Sequence, residues 1–332
     1  MRRHMRSLWW VQRTLLLCTA FAGMLGLLFG RANVVAAQTP SSTGPYVNAK
    51  AAIVYDATTK QVLYDKRADE PMYPASTTKL MTAILLVQHL QPNDPIYIGT
   101  EAAHQPKVRL GVKPGTEIPA DDALKALLMK SANDVAYGIA ETVGGSQEGF
   151  ARMMNVQARL LGCTHTRFVT PNGLHADAHE TSAKDVALIL AEAIKYPRIV
   201  EAMQTTNHMV DGKSVRNTNR LLYSQATSIG EYIGGKTGYT AKAMYCLATA
   251  VKQHGHVRIS VVLGAPRKNY MYRETVRLLS WSNRRFPGTS ESDTTDGDTD
   301  LRETPSGNTP SGEAPTESSA WSVDKYELPV AK

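Results

Sequence analysis

The sequence predicts an α/β fold in which an antiparallel sheet is flanked by helices and carries a mostly helical subdomain. Three observations predict it. Two strand-like runs with a short turn between them open the body, over residues 51–64. Three longer strand-like runs close it, between residues 232 and 263. The stretch between is dominated by helical periodicity, so early and late strands must meet in one sheet covered by helices.

Each element rests on a local signal. Ala51–Asp56 and Gln61–Tyr64 read as strands joined by the turn at 57–60. Pro71 and Pro74 punctuate the chain ahead of a helix in which Leu80, Met81, Ile84, Leu85 and Val87 follow the helical period. Its apolar cover is almost all round, which predicts central burial. Asp121 and Asp122 start a second helix running through Leu124, Leu127, Leu128 and Met129. A third resumes near Asp134 and runs to Val143, where Gly144-Gly145 stops it. Ser182 followed by Asp185 reads as a capping box for a helix over Val186–Ile194. Tyr232–Thr240, Tyr245–Lys252 and Val257–Leu263 read as strands, the last two joined by the turn-like Gln253-His254-Gly255-His256. A helix over Tyr272–Ser282 closes the body.

Charge is unevenly spread along the 332 residues, whose formal net charge is +7. Residues 1–37 carry five Arg and no acid; residues 287–332 carry ten Asp or Glu against three Lys or Arg; +9 is left on the body. Arg2, Arg3, Arg6 and Arg13 precede an apolar run, Leu15–Phe29, and Val35-Ala36-Ala37 offers small residues for cleavage before Gln38. Residues 1–37 are therefore expected to be a signal peptide, with an uncleaved signal anchor, and so membrane attachment, as the alternative. The run is short for a membrane span, which takes about 20 residues. Either way the body is expected to be extracytoplasmic, secreted or on the outer face of the membrane. Residues 38–45 are expected to form a short linker, and 46–286 the main folded domain. Over 287–332 the acidic Ser/Thr/Pro-rich composition is that of a disordered tail.

Only Cys163 and Cys246 remain after such cleavage. They either pair in an oxidising compartment or stay as two separate buried thiols. Apolar flanks around Cys246 argue against a nucleophilic thiol.

Three short motifs follow one another in the body: Ser76-Thr77-Thr78-Lys79, Ser131-Ala132-Asn133 and Lys236-Thr237-Gly238. Each is weak alone, because Ser322-Val323-Asp324-Lys325 and Ser306-Gly307-Asn308 repeat two of the patterns within the tail. Context separates them. Ser76 falls at a helix start, with Lys79 one turn on along the same face. Serine is a weak nucleophile until a base takes its proton, and lysine becomes such a base when burial and a neighbouring cation lower its pKa. Lys236 is the candidate cation. Ser131 and Asn133 fall in a break between helices, where Ser131 is placed to relay a proton and Asn133 to hold a substrate amide. Lys236 and Thr237, on a strand preceded by Gly234-Gly235, suit a terminal carboxylate, and the glycines let a substrate backbone approach. The backbone N–H groups of Ser76 and Tyr239 are candidates for an oxyanion hole. The competing reading of Ser76, Ser131 and Asn133 is ordinary helix capping.

The stretch Ala51–Ala83, with Tyr73-Pro74-Ala75-Ser76-Thr77-Thr78-Lys79-Leu80-Met81-Thr82-Ala83, resembles the serine D-alanyl-D-alanine carboxypeptidases, which are low-molecular-mass penicillin-binding proteins. Gly111-Val112-Lys113-Pro114-Gly115, Pro171-Asn172-Gly173-Leu174 and Gly235-Lys236-Thr237-Gly238-Tyr239-Thr240 extend the match over roughly 46–286. The resemblance implies the penicillin-binding/β-lactamase-like fold and an acyl-ester on Ser76, with Lys79 as proton acceptor and Ser131 as relay. It also implies substrate binding by Asn133, Lys236, Thr237, Gly238 and Tyr239. The implied substrate is the peptidoglycan pentapeptide, with β-lactam antibiotics as covalent inhibitors and no cofactor. Ala132 stands where class A β-lactamases carry Asp, and no Glu occurs in a matching context, which argues against efficient antibiotic hydrolysis. Many family members add a β-rich second domain and an amphipathic membrane-binding helix; here the acidic tail follows instead.

His175 and His179, with Asp177 and Glu180 beside them, mimic a metal site, but the surrounding Pro-Asn-Gly sequence and the Ser182 cap imply a loop, so no metal is expected. Scattered positive charge on an exported body fits an anionic cell wall better than nucleic acid.

Overall fold

Early and late strands do meet in one sheet. The computed structural model describes residues 44–224 and 227–287. The expected signal segment, nearly all of the linker and of the acidic tail, and both decoy motifs lie outside the described residues. β1 (Ala51–Asp56) and β2 (Gln61–Lys66) form a hairpin. The chain then leaves the sheet through a 3-10 turn, Ala75–Thr78, into α1 (Lys79–His89). β3 (Pro95–Ile98), α2 (Thr100–Ala103), β4 (Thr116–Pro119) and α3 (Ala120–Lys125) follow, and a π-helical turn over Ala126–Lys130 extends α3. Next come α4 (Asn133–Gly144), α5 (Gln147–Leu160), α6 (Ala183–Ala193), α7 (Pro197–Gln204) and the hairpin of β5 (Asn207–Val210) and β6 (Lys213–Arg216). The chain returns as β7 (Glu231–Thr240), β8 (Met244–Gln253) and β9 (His256–Ala265), and α8 (Lys268–Arg285) ends the described part.

The sheet order is β2-β1-β9-β8-β7, antiparallel throughout. β1 is buried at all six positions. Strand alternation explains this: Ala51, Ile53 and Tyr55 enter one core with Val186, Ile189 and Leu190 of α6, whereas Ala52 and Val54 enter a second with Met271 and Leu278 of α8. A sheet covered on both faces has no solvent side to its central strands, so β8 and β9 read as near-continuous apolar runs. β7 closes the order as an edge strand, and this edge carries the third motif.

α1 runs through the larger core with Lys79–Leu86 buried without interruption. That is the burial its all-round apolar surface demands. Among the described residues no helix is long and apolar enough to cross a membrane.

Three expectations change in detail. Ser182 caps α6 by accepting from the Asp185 N–H at 3.1 Å, but the Asp185 carboxylate turns away to the His165 N–H and Thr166 hydroxyl at 2.8 and 2.7 Å, so only half of a capping box forms. The helical middle also holds two helices beyond those expected, α5 and α7, each burying a single face; α5 buries only Gly149, Phe150, Met154 and Ala158. α8 extends beyond both ends of the expected helix in polar turns. Its C-terminal end is held by the buried Arg258 of β9, which donates to the Ser282 and Phe286 carbonyls and, at 2.9 Å, to Gln253 Oε1.

Candidate active site

Ser76 lies in the 3-10 turn that leads into α1. Pro74 and Thr78 occupy the cap positions of the turn and of α1, so Ser76 is not a helix cap. The residue before it, Ala75, has φ +48°, in the left-handed region that non-glycine residues seldom occupy. Thr77 Oγ1 braces the turn by donating to the Pro74 carbonyl at 2.7 Å. The first N–H groups of a helical turn have no intrahelical acceptor, and Ser76 contributes one of them.

Lys79 is fully buried, and its Nζ lies 3.1 Å from Ser76 Oγ, 2.8 Å from Asn133 Oδ1 and 2.6 Å from the Asn172 carbonyl oxygen. Burial pushes its pKa well below the usual lysine value; the Lys236 charge pushes the same way and Asp134 opposes. A neutral amine has two N–H donors and one lone pair. Both carbonyl oxygens accept only, so they take the two N–H groups, and the lone pair is left for the Ser76 hydroxyl proton.

The second motif sits where the π turn ends. Ala132 N–H donates to the Ala126 carbonyl at 3.2 Å, closing a wide turn that puts Ser131 at φ +68° and ψ +37°. Ser131 Oγ is buried and has no hydrogen-bond partner among the described residues. Asn133, expected to hold substrate, also holds the protein: Oδ1 accepts from Lys79 and Nδ2 donates to the Pro106 carbonyl at 3.0 Å. The next residue, Asp134, accepts from the Leu110 and Gly111 N–H groups at 2.9 and 2.8 Å. Asn133 and Asp134 together tie the 106–111 segment to Lys79.

On β7, Lys236 is buried and its Nζ donates to the Thr237 carbonyl at 2.9 Å. Burial brings its pKa down to about 7. Gly238 faces the nucleophile turn: a Cβ there would sit 2.9 Å from the Ser76 nitrogen and 3.2 Å from the Pro74 carbonyl oxygen. Thr237 is half-buried, and Tyr239 is exposed, its ring 4.4 Å from that of Tyr245 across the hairpin. Gly234 and Gly235 do not clear room for a substrate. A Cβ on Gly234 would strike Met203 of α7 at 2.4 Å, and one on Gly235 the Ala248 carbonyl oxygen of β8 at 2.5 Å, so these glycines serve internal packing.

The 169–179 segment supplies partners that residue types alone did not reveal. Asn172 offers its backbone carbonyl to Lys79, and Pro171 offers its own to Thr82 Oγ1 at 2.6 Å. Gly173 has φ +80°, and a Cβ there would lie 1.8 Å from the Ala75 carbonyl oxygen. His179 is buried, with Nε2 2.9 Å from Thr78 Oγ1 and Nδ1 accepting from the Val169 and Thr170 N–H groups at 2.9 and 3.2 Å. Burial, then the charges of His175 and Lys79, bring its pKa down to about 4. Pro171-Asn172-Gly173-Leu174 was legible as a motif, but a carbonyl oxygen has no residue-type signature. Both nitrogens of His179 are engaged, and His175 pairs with Asp177 and Lys242 instead. Among the described residues no group of three or more His, Cys, Asp or Glu could hold a metal. Cys163 and Cys246 are free and buried, and burial raises their pKa to about 12 and about 11.

Comparison with known proteins agrees with this geometry. The family described as D-alanyl-D-alanine carboxypeptidase matches residues 35–267. The D-alanyl-D-alanine carboxypeptidase DacF of Bacillus subtilis is 31% identical over 80% of this chain and 70% of its own length. DacC of Escherichia coli is 34% identical over 78% of this chain and 66% of its own. The crystal structure of a D-alanyl-D-alanine carboxypeptidase from Mycobacterium tuberculosis superposes with a TM-score of 0.68 at 25% identity, covering 76% of this chain and 97% of that one. With a family match over most of the body and a Ser76–Lys79 pair at its centre, this chain belongs to the D-alanyl-D-alanine carboxypeptidase family of serine peptidases.

Proposed function

We propose that this chain is a serine DD-carboxypeptidase that removes the terminal D-alanine from peptidoglycan stem peptides through an acyl-ester on Ser76. One observation carries the mechanism: the buried Lys79 amine has two carbonyl acceptors for its N–H groups and lies 3.1 Å from Ser76 Oγ. Lys79 takes the Ser76 proton as Oγ bonds to the carbonyl carbon of the D-alanyl-D-alanine bond. The developing oxyanion is received by the Ser76 and Tyr239 backbone N–H groups, a role favoured by the close approach of Gly238 to the Ser76 nitrogen. The C–N bond then breaks, and Ser131, whose buried hydroxyl has no hydrogen-bond partner among the described residues, relays the proton from Lys79 to the departing amine. Water attacks the ester, the C–O bond breaks and Ser76 regains its proton.

In this reading Lys236 and Thr237 bind the terminal carboxylate, and Asn133 the substrate amide. A carboxylate beside Lys236 opposes the burial effect and returns the amine to its charged form. β-Lactams acylate the same serine. The site of action is extracytoplasmic, reached through residues 1–37 as an export segment or anchor, with 46–286 as the catalytic domain and 287–332 as an acidic tail. The reaction needs no cofactor.

A fluorescent penicillin tests the reading. Stable labelling of the purified protein that vanishes in Ser76→Ala, with D-alanine release from a pentapeptide, is the expected result. Absence of labelling in a folded sample overturns it, and rapid loss of the label turns it toward a β-lactamase.

A further inference from the structure

Among the described residues the Asn172 carbonyl is the one backbone partner of Lys79, so its position depends on the Asn172 side chain, whose Nδ2 donates to Gln105 Oε1 at 3.2 Å, and on whatever fixes the 169–174 segment against the nucleophile turn. Three contacts do this. Thr82 Oγ1 donates to the Pro171 carbonyl at 2.6 Å. Gly173 packs so tightly on Ala75 that a Cβ there would meet its carbonyl oxygen at 1.8 Å and Thr78 Oγ1 at 2.9 Å. The third contact is His179. Its Nδ1 accepts two backbone N–H groups, from Val169 at 2.9 Å and Thr170 at 3.2 Å. An Nδ1 that accepts fixes the neutral tautomer with the proton on Nε2. That proton is donated to Thr78 Oγ1 at 2.9 Å. Thr78 lies between Ser76 and Lys79 in the first motif. One buried ring therefore holds the start of the segment with one nitrogen and the nucleophile turn with the other.

We propose that His179 is a positioning residue for the general base: by clamping the 169–173 backbone to Thr78 it keeps the Asn172 carbonyl on Lys79 Nζ and so keeps the amine lone pair on Ser76. His179 touches neither the substrate nor Ser76, and acts through Thr78 and Asn172. This rests on Lys79 serving as the base.

The test is a double-mutant cycle with Thr78→Val and His179→Phe, read by a fluorescent penicillin. The acylation rate constant and the preceding non-covalent dissociation constant are resolved separately, with thermal unfolding followed alongside. Each single variant is expected to lose about 10-fold to 100-fold in the acylation rate constant at unchanged dissociation constant, as sub-ångström misplacement of a reacting group does. The double variant loses no more than the worse single one, because both break the same link. His179→Gln, which retains a donor toward Thr78, recovers part of the rate. Wild-type acylation rates in folded Thr78→Val, a loss confined to the dissociation constant, or fully additive losses overturn the proposal. Should His179→Phe fail to fold, Thr78→Val and His179→Gln decide it by the same criteria. Failure of the wild type itself to label would instead overturn the reading of Ser76 and Lys79, so the two failures are distinguishable.

Discussion

Lys79 Nζ lies 2.6 Å from the backbone carbonyl oxygen of Asn172, 93 residues further along the chain. With Asn133 Oδ1 at 2.8 Å, that contact gives the two N–H groups of the neutral form their acceptors and leaves its lone pair to Ser76. In the proposed mechanism the reactivity of Ser76 therefore depends on two residues, neither of which is the nucleophile or the base. It also depends on burial, which pushes the amine's pKa well below the usual lysine value and so favours the neutral form that a base requires.

Removing the base is expected to act on chemistry rather than binding, whereas removing Asn133, which both orients the base and holds the substrate amide, is expected to act on both. Lys79→Met, which fills the buried space without an amine, should lower β-lactam acylation by about 10²-fold to 10⁴-fold, the usual worth of a positioned base. Asn133→Ala should lower it too, leaving one N–H of Lys79 unpaired. Stopped-flow acylation kinetics check both. An unchanged rate in Lys79→Met removes Lys79 from the mechanism.

Gly173→Ala is expected to be among the most damaging small substitutions in the body. The added methyl would meet the Ala75 carbonyl oxygen at 1.8 Å, and φ +80° is strained for alanine in any case. Both the 169–174 segment and the nucleophile turn would have to move. A fall in melting temperature together with lost penicillin labelling is expected; normal labelling would show that the two segments are not rigidly coupled.

His179 should make stability pH-dependent in a defined window. Its pKa falls from the ordinary 6.5 to about 4 in the folded chain, mainly through burial, with the His175 and Lys79 charges adding to it. Between those values the unfolded chain binds a proton that the folded chain does not, so stability is full above the ordinary value and declines as pH falls toward about 4. A shift of this size corresponds to at most about 3 kcal/mol. Denaturant unfolding of wild type and His179→Asn from pH 7 downward measures it. The difference between the two curves should narrow as the pH is lowered; parallel curves would contradict the assignment.

Arg258 separates stability from activity. Its guanidinium is buried and donates to Gln253, Ser282 and Phe286, holding the end of α8 against β8 and β9. Arg258→Met removes three hydrogen bonds, but Gln253 Oε1 still accepts from Ser282 Oγ and the Ser282 carbonyl from the Phe286 N–H, so the main cost is the Phe286 carbonyl, at about 1–3 kcal/mol. The expected outcome is a lower unfolding midpoint with acylation per folded molecule unchanged. A proportionate loss of acylation would mean that α8 also shapes the site.

By itself the sequence determined the sheet-forming ends, the buried first helix and the three motifs, because apolar periodicity, prolines and the spacing of Ser76 and Lys79 are local properties. That β1 is a strand was legible for the same reason, although which core each of its residues enters was not. Short hairpins such as β3–β4, with four residues per strand, carry too little periodic signal to be read locally. What only the tertiary structure decided is how the motifs are held. Asn133 faces the base as well as any substrate, Gly234 and Gly235 make room for protein, and Gly238 alone of the three approaches Ser76. His179, which in sequence resembled half of a metal site, is a neutral ring spanning two loops. The physical reason is common to all of these: hydrogen bonds to backbone carbonyls and close backbone contacts leave no mark in residue type, and they exist only once segments 93 residues apart are packed together.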